Sequence, residues 1–134
     1  MKHKKTAGFT FIELLVSATI IIVLSVIGMV SFAKAGKSAR DARRKADLAM
    51  VQQAMVQYKV NEGGLYYVPA GADGKAKFVN LVNELKNEGY LSSPVPADPK
   101  NDATYYYTYS GDTVSFTVSA ALPENGGTIT FSNP

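Results

Sequence analysis

The 134-residue chain has no cysteine, no tryptophan and a single histidine, His3. Without thiols there are no disulfides, thiolate metal centres or cysteine nucleophiles. One histidine at the extreme N-terminus leaves a Ser-His-Asp hydrolase or a His-ligated zinc enzyme with too few parts. Proline is absent until Pro69. A charge excess is absent too, once the tip is set aside: Lys2, Lys4 and Lys5 account for the formal +3, and from Phe9 onward 11 basic residues meet 11 acidic ones. A basic tip of this kind does not argue for a nucleic-acid partner. No nucleophile beside a base, no acid–base pair and no phosphate loop stands out, so the residues do not describe an enzyme. The length suits one modest domain.

What is present is a long apolar run. Phe9 to Ala33 reads FTFIELLVSATIIIVLSVIGMVSFA, 25 residues with one charge, Glu13. As a helix it would span roughly 37 Å, enough to cross a hydrocarbon core of about 30 Å. A chain this short cannot bury a helix that is apolar on every face. A secretory signal would have a shorter core and an A-x-A-like end. The run therefore reads as a membrane helix. Lys34, Lys37, Arg40, Arg43, Arg44 and Lys45 follow it, and counting Lys and Arg alone would place that larger cluster in the cytoplasm.

Glu13 is the anomaly. A carboxylate in an apolar medium is costly without a partner, although one near the headgroups can snorkel to water. Lys4-Lys5-Thr6-Ala7-Gly8 followed by Phe9-Thr10-Phe11-Ile12-Glu13-Leu14-Leu15-Val16 closely resembles the prepilin cleavage motif of type IV pilins and type II secretion pseudopilins. Phe11 stands where leucine is common in that family. The resemblance implies a peptidase cut between Gly8 and Phe9 and N-methylation of Phe9. It further implies a structural subunit that polymerises into a helical filament, with Glu13 paired to the Phe9 amine of a neighbour. The implied partners are copies of the chain, other pilins, the prepilin peptidase, an assembly platform and the membrane. The leader would lie in the cytoplasm, the chain would cross the inner (cytoplasmic) membrane once, and the head would end in a surface filament. A secretion pseudopilin is the alternative within this class. A membrane-anchored extracellular binding module that does not polymerise is the alternative outside it.

The helix is expected to continue. Leu48, Val51, Met55 and Tyr58 form an amphipathic stripe, and Gly63-Gly64 is a stop signal, so one helix from Phe9 to about Glu62 would be roughly 80 Å long. Many type IV pilins carry a proline in the apolar helix; here only Gly28 and Gly36 could loosen it. The Lys34–Lys45 run, broken by Asp41 and Asp47, favours a solvated or salt-bridged face over nucleic-acid binding. Four segments result: a leader at 1–8, a transmembrane or filament-core helix at 9–33, its amphipathic continuation at 34–62 and a head at 63–134.

In the head, Leu65–Pro69 reads as irregular chain or a short strand. Phe78, Leu81, Val82 and Leu85 mark a second helix ending at Gly89. Strands are expected at Tyr105–Tyr109, at Val114–Ala120 with alternate residues buried, and at Ile129–Phe131. A three-stranded antiparallel sheet across the back half of the long helix would complete an α+β, pilin-like fold. The many tyrosines fit cross-strand packing or a subunit interface better than a platform for sugars or bases. The resemblance admits calcium in place of a disulfide, for which Asp98, Asn101, Asp102 and Asp112 could supply hard oxygen ligands. Loop-solvated side chains are the other reading of those four, and no other cofactor is expected.

Overall fold

The computed structural model describes residues 8–134. The basic leader residues Lys4, Lys5, Thr6 and Ala7 lie outside the described residues. The elements are α1 (Phe11–Asn61), α2 (Gly74–Asn87), β1 (Tyr107–Gly111), β2 (Phe116–Ala120) and β3 (Thr130–Ser132). This is the α+β, pilin-like architecture expected, with a long N-terminal helix and a small antiparallel sheet. The chain divides into two compact units, Met1–Gly36 and Lys37–Pro134, and α1 contributes to both.

In the first unit the apolar side chains of α1 are exposed along its length, from Phe11 to Phe32. The helix is long and apolar enough to cross a membrane, and none of the qualifying stretch is buried. Three of its hydroxyls are satisfied locally: Ser17, Thr19 and Ser25 donate to the carbonyls of Glu13, Val16 and Ile21 at 2.7, 2.8 and 2.7 Å. Such back-bonding lets small polar side chains sit in an apolar medium without an orphaned donor.

The second unit holds the core. Leu48, Val51 and Met55 of α1 are fully buried, and the same stripe begins with two charged residues, Asp41 and Arg44. Gly63 ends the helix at φ +88, where a Cβ would be strained, and the Gly64 N–H closes the last turn on the Lys59 carbonyl at 2.8 Å. The shorter α2 starts at Asp73, whose carboxylate accepts the Ala76 N–H at 2.7 Å, and it buries Phe78, Leu81, Val82 and Leu85.

The sheet has the order β1-β2-β3, antiparallel throughout, with Tyr107 opposite Ala120 and Val118 opposite Phe131. Tyr107, Tyr109, Phe116 and Val118 face the core, where Phe78 meets Tyr107 and Tyr66 meets Phe116 edge-to-face at 5.2 and 4.8 Å. Residues of α1, α2 and the sheet belong to one buried cluster. Each fully buried Leu, Val or Phe contributes about 1.5–3 kcal/mol, which is how a head without disulfides holds together.

Two local expectations shift, and one of two open readings is settled. The first strand runs Tyr107–Gly111 instead of Tyr105–Tyr109, because the Asp102 carboxylate accepts the Thr104 and Tyr105 N–H groups and keeps them in a turn. The second strand starts at Phe116, and Val114 is exposed, because Asp112 holds the Val114 and Ser115 N–H groups in the same manner. Leu65–Pro69 is irregular and joins the β1–β2 turn through one bond, Tyr66 N–H to the Thr113 carbonyl at 2.9 Å.

Candidate processing and assembly site

The described chain begins at the expected scissile bond. Gly8, Phe9 and Thr10 are exposed and lie outside the helix. Gly8 has open space where a Cβ would stand, so the fold itself places no demand for glycine there.

Thr10 sets the helix start two residues later than the expected Phe9. Its hydroxyl receives the Glu13 N–H at 3.3 Å, and the Glu13 Oε2 receives the Thr10 N–H at 2.8 Å and the Thr10 hydroxyl at 2.7 Å. This is a capping box, in which a T-x-x-E spacing satisfies two amides that the first turn leaves orphaned. Glu13 therefore has an intrachain partner. Phe9 precedes the cap and lies outside the helix. The signal for this cap is legible in Thr10-Phe11-Ile12-Glu13, a T-x-x-E spacing.

A second polar constellation lies within Lys37–Pro134. The Arg44 guanidinium is fully buried and donates to both oxygens of Asp98, from Nε at 2.7 Å and Nη2 at 3.0 Å, and to Asp41 from Nη1 at 2.7 Å. Asp41 also accepts the Glu124 and Asn125 N–H groups at 3.0 and 2.9 Å. Glu124 in turn takes Arg40 at 2.6 Å and Lys100. The effect is to tie the 98–100 and 124–125 loops onto α1 through charge-assisted bonds.

Burial acts to raise the carboxyls of Asp41 and Asp98. The bonds from the loop amides and Arg44 outweigh it, and both titrate below the usual aspartate range. Asp47 goes the other way, pushed up by burial although Tyr107 donates to it at 2.9 Å. The stripe Leu48, Val51, Met55 extends back by sevens to Asp41, Arg44 and Leu48, so the buried position of these charges was readable in the periodicity. The Lys34–Lys45 run is salt-bridged in part, as one of the expected readings had it.

The four oxygen donors weighed for calcium are placed as follows. Asp98 is engaged by Arg44 and accepts the Lys100 N–H at 2.9 Å. Asn101 stands next in that turn at φ +46. Asp102 and Asp112 each cap their own turn, on different loops. Among the described residues no group of three or more His, Asp or Glu side chains is placed to hold a metal ion.

Residues 3–31 match the family model described as the prokaryotic N-terminal methylation motif. No curated protein and no solved structure matches the chain. The matched segment contains Gly8, Phe9, Thr10 and Glu13, and it ends inside the exposed apolar stretch of α1. The chain thus carries the prepilin signature of type IV pilins and pseudopilins, and that signature supports a structural protein of this type over an enzyme.

Proposed function

We propose that the chain is a filament subunit. A prepilin peptidase removes residues 1–8 and the new Phe9 amine is methylated. Before assembly the 9–33 segment holds the protein in the inner membrane, leader side in the cytoplasm and head outside. Copies then polymerise with other pilins on an assembly platform, and Glu13 of one copy pairs with the Phe9 amine of the next.

The observation that carries this reading is a methylation motif whose glutamate lies in the Phe11–Phe32 stretch of α1, where the apolar side chains are exposed. Such a face is stable only in lipid or against other helices. At 100° per residue Glu13, Ser17, Gly28, Ser31 and Ala35 fall within about 60° of one another, interrupted by Leu24. Small residues there permit close helix approach and bring a neighbour's backbone to the glutamate. In that setting an ion pair selects register more than it adds net stability.

Intact-mass measurement of the native protein tests the processing step. The expected species begins at Phe9 and carries one extra methyl group. A protein that retains Met1–Gly8 in assembled fibres overturns the reading.

A further inference from the structure

Within Lys37–Pro134 eight of the twenty Lys, Arg, Asp and Glu side chains form ion pairs, and the rest are left over. Lys37 and Lys45 on α1 are exposed and form no ion pair with any described residue, and Arg43 is held only loosely, 3.8 Å from Asp47 with its side chain 65% exposed. At the far end of α1 Tyr90 packs on Tyr58, reaches Glu62 with its hydroxyl and bonds the Leu85 carbonyl with its N–H, which brings the last turn of α2, with Glu84 and Glu88, beside the same aromatic group. Lys59 and Lys86 also lie in these last turns. Burial, then Glu62, Glu88 and Glu84, push the Tyr58 hydroxyl up. None of the three forms a salt bridge with a described residue, and Glu62 has only a 3.5 Å contact from the Tyr90 hydroxyl.

The patch is not carboxylate alone. Tyr67 and Tyr90 pack edge-to-face on Tyr58, each with centroids 5.7 Å away, and present half-buried aromatic surface beside the acids. Aromatic surface rimmed by charge is the composition of a protein contact. From Lys45 to Tyr58 the helix rises about 20 Å, too far for one copy to bring its own patches together.

We propose that the cationic segment Lys37–Lys45 docks on the Tyr58–Glu88 patch of a second copy of this chain, shifted along the helix axis. This rests on the filament reading above, which makes neighbouring copies parallel. A parallel shifted contact uses different patches on the two copies, so it cannot close and propagates into a fibre. Complementary charge fixes the shift and suppresses other registers.

Charge reversal tests it in the full-length, membrane-expressed protein. Lys37→Glu with Lys45→Glu, and separately Glu84→Lys with Glu88→Lys, are each expected to lower fibre yield about tenfold or more, with the head's melting transition retained. All four changes in one chain should restore yield to within about threefold of wild type, since the complementarity returns with its sign exchanged. Normal fibres from either pair overturn the docking and leave the filament reading standing. Loss from the lysine pair alone, with the glutamate pair assembling normally, also overturns it and assigns the cations to a lipid or nucleic-acid partner. Absence of any multimer from the wild-type chain removes both readings.

Discussion

The two units of this molecule treat charge and apolar surface in opposite ways. In the described part of the first unit, Gly8–Gly36, the apolar side chains are exposed and the one acid is satisfied by Thr10, the residue that caps its own helix. In Lys37–Pro134 the apolar side chains are buried, and a guanidinium is buried with them, satisfied by carboxylates from α1 and a distant loop. One segment carries surface waiting for a partner; the other has an interior with even its ions paired. The difference teaches where to look for function. Interiors explain stability, whereas an exposed apolar surface with a locally held carboxylate is where a partner would bind.

The sharpest break in that comparison comes from exchanging the acid for an amide. Glu13→Gln keeps shape and hydrogen-bonding capacity but removes the charge. The expected outcome is normal membrane accumulation and an unchanged head, with fibre yield reduced about a hundredfold, read by shearing and immunoblot. Wild-type fibre yield would sink the pairing of Glu13 with Phe9.

The largest effect within the head should come from Arg44. Arg44→Met leaves Asp41 and Asp98 buried without their cation, a loss of about 3–5 kcal/mol in unfolding free energy measured by denaturant titration of the full chain in detergent. Accumulation of the protein in the membrane should fall with it, whereas Glu13→Gln should leave the titration untouched. A cost below about 1 kcal/mol would mean that the network is no better than a surface pair.

How far the sequence alone reached follows the same division. The apolar run, Gly8, Phe9 and Glu13 were legible because hydropathy and a local motif require no tertiary contact. Leu48, Val51 and Met55 were legible because helical periodicity marks a buried face. Arg44 and Asp98 were not read as partners, since they are 54 residues apart and only the folded chain joins them. Strand starts slipped by two residues for a related reason: Asp102 and Asp112 reach forward to backbone amides and delay each strand, a competition that alternation of apolar residues does not register. The need for glycine at Gly111 is a tertiary matter, because a Cβ there would meet the Ser115 carbonyl at 2.5 Å.

Acid sharpens the comparison further. Asp41 and Asp98 titrate in the folded head below their ordinary value of 3.8, so they bind fewer protons folded than unfolded near that pH. Their contribution is fully present above the unfolded value and is lost as pH falls through the folded value. Asp47, raised by burial, has the opposite sign and offsets part of the loss. Glu124, lowered chiefly by Lys100, adds to the first group. The melting temperature should therefore be flat above about pH 5 and drop below about pH 4. Asp41→Asn should flatten that drop, and an acid slope unchanged in this variant would detach the network from it.

The smallest expected effect tests the other unit. Thr10→Val preserves volume and removes the hydroxyl that both gives a hydrogen bond to the Glu13 carboxylate and receives the Glu13 N–H. The Thr10 N–H contact to Glu13 survives, so the loss should be about 1 kcal/mol, the ordinary value of an N-cap. Amide exchange at Glu13 and Leu14 in detergent-solubilised, uncut protein should accelerate about fivefold, while exchange at Leu48 and Val51 stays constant. Thr10→Ser retains the hydroxyl and should restore protection. Equal protection in the valine and serine variants would show that the helix start is held by something other than this side chain, and that Glu13 is not kept in place by its own first turn.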